Sequence, residues 1–124
     1  MAGPIRDYRD LDAWKQAIEL ALACESVCER LPRQFAYLAL QIRRAADSVH
    51  SNIAEGNGRP STADYLRHLG ISTASLNEVG SRLYFVRRRF DGRIDTSAAE
   101  KLTLTTARLL AGLVRSLRRK RERG

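Results

Sequence analysis

A chain of 124 residues has the length of one domain and can bury one hydrophobic core. With 44% hydrophobic and 29% charged residues it is typical of globular proteins, which excludes a disordered chain. No apolar run approaches the roughly 18 residues of a membrane span. The net charge of +8, from 22 Lys and Arg against 14 Asp and Glu, favours an anionic partner.

The first helix is predicted between about residues 11 and 30, because Pro32 cannot continue it. Apolar side chains at helical spacing define its expected core face: Leu11, Trp14, Ile18, Ala21, Leu22, Cys28 and Leu31. Cys24 and Cys28 lie four apart, are poorly placed for a strain-free disulfide and are expected to pack as small hydrophobic residues. Reduced thiols, and an N-terminal sequence without the apolar core of a secretory signal, together predict a cytoplasmic protein.

The second helix is predicted between about residues 34 and 55 and is followed by glycines and Pro60. Steps of three and four place one line of side chains toward the core: Phe35, Leu38, Ile42, Ala45, Val49 and Asn52. A buried amide at Asn52 is expected to set the register between helices. Arg43 and Arg44 point away from Ile42, toward solvent or a neighbouring subunit, and are candidate nucleic-acid contacts.

The third helix is predicted between about residues 61 and 90, from a capping box at Ser61 to a turn at Asp91-Gly92. It has the strictest heptad pattern in the chain: Tyr65, Leu69, Ser72, Leu76, Val79, Leu83, Val86 and Phe90. Gly70 and Gly80 are expected where another helix approaches closely. Near the end, Arg87 and Arg88 are candidate nucleic-acid contacts, although cations there also complement the helix dipole.

The fourth helix is predicted between about residues 96 and 118, followed by a basic tail over residues 118–124. One apolar stripe contains Leu102, Thr106, Leu109, Leu113 and Leu117, and a second contains Leu104, Ala107, Ala111 and Val114. Together the stripes cover more than half of the circumference, and a helix in a monomeric bundle needs about a third. We therefore predict that the second stripe is an interface between copies of the chain.

A line of cations lies opposite the main core stripe of the fourth helix: Lys101, Arg108, Arg115 and Arg119. Such a line can follow several phosphates, and Arg118 in the tail is a further candidate contact. An ordinary solvated face, or a basic tail that serves solubility, would show the same pattern. Because Phe35, Tyr65 and Phe90 lie on core stripes, duplex or structured RNA is favoured over stacked single strands.

Nothing in the sequence indicates an enzyme, a metal site or a cofactor. Asp47-x-x-His50 is the nearest approach to the Glu-x-x-His pairs of di-metal bundles, and it has no second pair. The cysteines and histidines also lack zinc-finger spacing. Both His50 and His68 are expected to be surface polar residues.

A resemblance to a known family rests on the segment Gln41-Ile-Arg-Arg-Ala-Ala-Asp-Ser-Val-His-Ser-Asn-Ile-Ala-Glu-Gly56. It resembles the signature of four-helix bundle proteins encoded in intervening sequences of bacterial 23S ribosomal RNA genes, and the similarity extends over about residues 8–117. Its motif residues here are Gln41, Asn52, Glu55 and Gly56. The family usually has Pro where this chain has His50, so the second helix is expected to run straighter.

The resemblance implies a four-helix bundle, commonly assembled as a ring-like homopentamer, and a relation to accessory proteins of diversity-generating retroelements. Taken together, residues 1–124 are predicted to form one all-α, antiparallel, up-down-up-down bundle. The predicted function is non-catalytic binding of RNA, with ribosomal RNA as one candidate, by a homo-oligomer. The alternative is a protein–protein adaptor, such as an accessory factor of a reverse transcriptase.

Overall fold

The computed structural model describes residues 7–123. They form four α-helices: α1 (Asp12–Arg30), α2 (Ala36–Asn57), α3 (Thr62–Arg89) and α4 (Ser97–Arg123). Single turns of 3-10 helix precede α1 and α2. Both α1 and α3 pack against α2 and α4, so the four helices enclose one core. The prediction of an all-α four-helix bundle is confirmed, and the described residues contain no strand.

The ends of α3 are formed by the residues that the sequence indicates. The Ser61 hydroxyl accepts a hydrogen bond from the Asp64 amide at 3.1 Å, which satisfies one of the free N–H groups at the helix start. After α3, Asp91 and Gly92 adopt positive φ angles of 52° and 72°, which turn the chain toward α4. α2 also runs through His50 without a break.

The cores of α2 and α3 follow the predicted heptad lines, with Asn52 and Tyr65 half-buried and the other members buried. The prediction for α1 is partly wrong. Leu22 is 61% exposed, and Trp14, Ile18, Ala21 and Leu31 are only half-buried. The buried residues of α1 itself are smaller on average: Ala13, Ala17, Leu20, Cys24, Val27 and Cys28. Small side chains let α1 approach its neighbours closely. A buried face made of small residues is weakly hydrophobic, so the hydrophobic pattern of the sequence does not identify it.

α4 extends through most of the residues predicted to form a tail. It continues to Arg123 rather than ending near residue 118. No glycine or proline interrupts the chain between Leu117 and Arg123, and arginine and lysine are good helix formers. The basic segment is therefore an extension of the helix.

The glycines within α2 and α3 differ in how closely a neighbouring helix approaches them. A Cβ on Gly80 would lie 3.5 Å from Thr103 Cγ2, so α4 does approach α3 there. A Cβ on Gly70 would meet no described atom within 4 Å, and the predicted close contact is wrong within this chain. The tightest position is Gly56, where a Cβ would lie 2.8 Å from His68 Cβ. Because Gly56 falls at the end of α2, its sequence position suggested only a cap.

Both cysteines are buried and free, as expected for small core residues. Burial raises the pKa of the Cys24 thiol to about 12 and that of the Cys28 thiol to about 11. The Cys28 thiol donates to the Ala39 carbonyl at 3.5 Å. Within residues 7–123, no helix combines the length and the apolar character that a membrane crossing requires.

Candidate nucleic-acid interface

The cationic ridge is the line of Lys101, Arg108, Arg115 and Arg119 along α4. All four side chains are exposed, because the apolar residues on the other side of α4 hold that side against the core. Within residues 7–123 none of the four forms an ion pair. At 1.5 Å per residue the ridge is about 27 Å long, and the continued helix places Arg123 one turn beyond Arg119.

The apolar strip is the second stripe of α4: Leu104, Ala107, Ala111 and Val114. Leu104 is 63% exposed, the two alanines are exposed, and Val114 packs partly against the core. Beside the strip, a groove of about 420 Å³ between α3 and α4 is lined by Leu66, Gly70, Thr73, Ala111, Val114, Arg115 and Arg118. The side chains of Arg115 and Arg118 therefore border an apolar surface that the single chain leaves open.

The remaining candidate cations divide into paired and unpaired residues. Arg43 forms two hydrogen bonds with the Glu25 carboxylate, at 2.8 and 2.9 Å, and these bonds lower the pKa of Glu25. Arg87 donates to Glu100 at 3.1 Å. Arg44 and Arg88 are exposed and form no ion pair within the described part of the chain. Arg43 and Arg87 are thus partly neutralised and contribute less attraction for phosphate.

A polar seam joins α2 to α3 through five residues: Ser48, Asn52, His68, Ser72 and Ser75. The Asn52 amide nitrogen donates to the Ser48 carbonyl at 2.9 Å, which leaves its oxygen to accept from His68 Nδ1 at 3.0 Å. Ser75 donates to the Ser48 hydroxyl at 2.7 Å, and Ser72 donates to the Val49 carbonyl at 2.9 Å. Asn52 therefore bridges two helices, as a register-setting amide would.

The other motif residues surround this seam. Gly56 is buried against His68, the Glu55 carboxylate is exposed with one oxygen 3.7 Å from His68 Nδ1, and Gln41 is half-buried earlier in α2. The family-like segment thus lies along the α2 and α3 contact, and the cationic ridge lies on another helix.

The expectation that both histidines lie at the surface is wrong for His68, which is only 5% exposed. His68 directly precedes Leu69 of the core line, and its polar partner Asn52 comes from another helix. The residues next to His68 in the sequence predict only a surface position, because they do not reveal a hydrogen-bond partner on another helix. His50 is half-buried, with Nε2 3.3 Å from an Asp47 carboxylate oxygen. In residues 7–123 no three His, Cys, Asp or Glu side chains lie close enough together to hold a metal ion.

These features define a basic four-helix bundle with a polar seam and a cationic helix face. Residues 9–114 match the model of the family described as 23S rRNA-intervening sequence protein, and the chain belongs to that family. The matched region contains all of α1, α2 and α3 and most of α4. No curated protein sequence matches the chain.

Proposed function

We propose that this protein is a non-catalytic, basic, oligomeric bundle that binds RNA, with ribosomal RNA as one candidate. The observation that carries the proposal is the cationic ridge, which is exposed and without ion pairs in the described residues. Guanidinium groups in a row on a rigid helix can contact successive phosphates, and such contacts give affinity without reading sequence. A cytoplasmic location stays a prediction.

The proposal includes an antiparallel, up-down-up-down order of the helices. Three contacts support this order for α3 and α4: Arg87 near the end of α3 reaches Glu100 in the first turn of α4, Gly80 adjoins Thr103, and Leu66 shares a groove with Arg118. The pairs Ser48–Ser75 and Asn52–His68 support it for α2 and α3. In this order the ridge runs the length of one side of the bundle.

The ridge predicts the largest functional effect. Replacing Arg108, Arg115 and Arg119 together with Glu should abolish RNA binding while the far-UV circular dichroism spectrum stays helical. Binding of the wild type should weaken steeply between about 50 and 200 mM salt, because bound phosphates release counterions. Fluorescence anisotropy with a labelled RNA measures both effects.

A second triple variant controls for net charge. Replacing Lys15, Arg59 and Arg67 with Glu changes the total charge by the same amount, but these exposed residues lie off the ridge. This control should keep most of the wild-type affinity, with a moderate loss from the weaker overall field. Equal losses in the two triple variants would show that total charge, and not the ridge, determines binding.

Self-association is part of the same proposal, with a ring-like homopentamer as the expected assembly. The apolar strip supports it, because exposed apolar residues on a helix gain stability when a second copy covers them. Five copies of a +8 chain would carry roughly +40, which would attract polyanions strongly.

Replacing Leu104 with Glu should therefore reduce the mass of the assembly measured by light scattering. Leu22→Glu is a matched control, since Leu22 on α1 is 61% exposed and Leu104 is 63% exposed. The control should leave the mass unchanged. A monomeric wild type, or an unchanged mass in the Leu104 variant, would contradict the role of the strip.

The alternative function is a protein–protein adaptor, such as an accessory factor of a reverse transcriptase. The apolar strip and the groove beside it on α4 favour this alternative, because another protein could cover them in place of a second copy. This alternative predicts a wild type that stays monomeric alone, binds RNA weakly, and associates through Leu104 with one partner in the presence of nuclease.

A further inference from the structure

Three aromatic side chains are exposed at the end of the bundle where α2 begins and α3 ends. Tyr37 is 61% exposed, Tyr84 is 48% exposed and Phe85 is 46% exposed. None of the three lies on a heptad line, and their exposure removes the basis on which the sequence favoured duplex RNA over stacked single strands. Large exposed rings are available for contact with a partner.

Two of these rings border one groove. Tyr37 and Leu38 from α2, with Ser81 and Phe85 from α3, line a cavity of about 410 Å³, within the range of small-ligand sites. The Glu78 and Arg82 side chains also line it and are joined by a 2.9 Å hydrogen bond. The Tyr37 ring stacks on Phe35, with centroids 6.1 Å apart and planes at 28°, so it is held in position. The groove therefore combines two aromatic rings, one of which packs against Phe35, with polar groups.

Arginines cover the neighbouring rings. The guanidinium carbons of Arg87 and Arg88 lie 4.9 and 5.8 Å from the Tyr84 centroid, and Arg88 also donates to the Tyr84 hydroxyl at 2.9 Å. At 3.6 residues per turn, Tyr84 and Phe85 leave α3 about 100° apart, and Arg88 emerges between them one turn later. Arg88 therefore contacts the Tyr84 ring and lies on the surface of α3 between Tyr84 and Phe85, and Phe85 lines the groove.

The charge at this end points to an anionic ligand. Arg89 lies 5.1 Å from both the Phe35 and the Phe90 centroids. Arg88 and Arg89 form no ion pair with any described residue. Aromatic faces and guanidinium planes beside unpaired cations are the groups on which unpaired bases stack while their phosphates remain nearby.

We propose that this aromatic end, made of Tyr37, Tyr84, Phe85 and Arg88, binds the unpaired bases of a single-stranded RNA segment. This inference rests on the proposed RNA binding, and it specifies that the RNA bound by the protein contains an unpaired segment. The cationic ridge contacts phosphates of any RNA, and the aromatic end distinguishes single strands from duplexes.

The test compares a single-stranded RNA of twelve nucleotides with a blunt duplex of equal length. The double variant Tyr37→Ala, Phe85→Ala should bind the single strand about tenfold more weakly for each ring removed, and the duplex within about twofold of wild type. The double variant Tyr37→Phe, Phe85→Tyr keeps both rings and should bind like wild type. Both positions are exposed, so thermal unfolding should confirm that each variant folds.

Fluorescence gives a second readout. In Tyr37→Trp, the new indole should be quenched by the single strand and not by the duplex, with the signal of Trp14 measured in the wild type and subtracted. Stacking of a base on the ring is the cause of this quenching.

The outcomes separate the two proposals. A wild type that binds neither RNA form overturns RNA binding and this inference together. A wild type that binds both forms, with unchanged single-strand affinity in the alanine variant, overturns the aromatic end and leaves the ridge. Loss of assembly mass in the alanine variant would show that the groove holds a second copy of the chain, which also overturns the inference.

Discussion

Replacing Gly56 with Ala should destabilise the bundle by about 1–3 kcal/mol, although alanine is the better helix former. The added Cβ would lie 2.8 Å from His68 Cβ and 3.2 Å from the Tyr65 carbonyl oxygen. These two atoms are fixed by the backbone of α3, so α2 and α3 would have to move apart. Urea denaturation measures the change in the free energy of unfolding.

Gly70→Ala is the matched control for this prediction. A Cβ at Gly70 meets nothing within 4 Å in the described chain, so this variant should be stabilised by about 1 kcal/mol. Both variants must be compared at one protein concentration, because self-association adds to apparent stability. If Gly56→Ala were as stable as Gly70→Ala, the close approach of α2 to α3 would be wrong.

Replacing Asn52 with Leu should also destabilise the bundle, by about 1–3 kcal/mol, because the buried His68 loses the acceptor for its Nδ1 hydrogen. His68→Leu alone should lower the free energy of unfolding by less than Asn52→Leu, since Asn52 is half-buried and water can replace the lost donor. With both residues changed to Leu, neither position leaves a buried polar group that has lost its partner in the other. The double variant should therefore be more stable than Asn52→Leu.

A double-mutant cycle on the unfolding free energies measures this coupling. The RNA affinity of all three variants should stay close to wild type, because the polar seam and the cationic ridge lie on different helices. Additive energies in the cycle would show that Asn52 and His68 act independently. A large loss of RNA affinity in a folded Asn52 variant would place part of the binding surface at the polar seam.

The fold was predictable where large side chains repeat at heptad spacing. The lines through Ile42 and Val49 on α2, and through Leu69 and Leu83 on α3, are buried as predicted. On α1 the core face includes Ala17 and Cys24, whose small side chains contribute little to a hydrophobic pattern. A face that is buried because helices approach closely is therefore harder to recognise from sequence.

The candidate site was only partly predictable, for a different reason. Helical spacing alone places Lys101, Arg108 and Arg115 in one line, so the ridge follows from the sequence. Its role in binding stays a prediction. Arg43 pairs with Glu25 of α1, and Asn52 of α2 pairs with His68 of α3, and local spacing contains no information about such contacts between helices.

The helical continuation of α4 to Arg123 affects the thermodynamics of any contact with a polyanion. A basic segment without secondary structure would lose backbone freedom on binding, and this loss would weaken the complex. In this protein the folding of the chain already orders the backbone of the last turns, so little further backbone entropy would be lost on the proposed binding. The helical backbone sets where each arginine there leaves the chain, so on the proposed binding the spacing of these charges would favour polyanions whose phosphates match it.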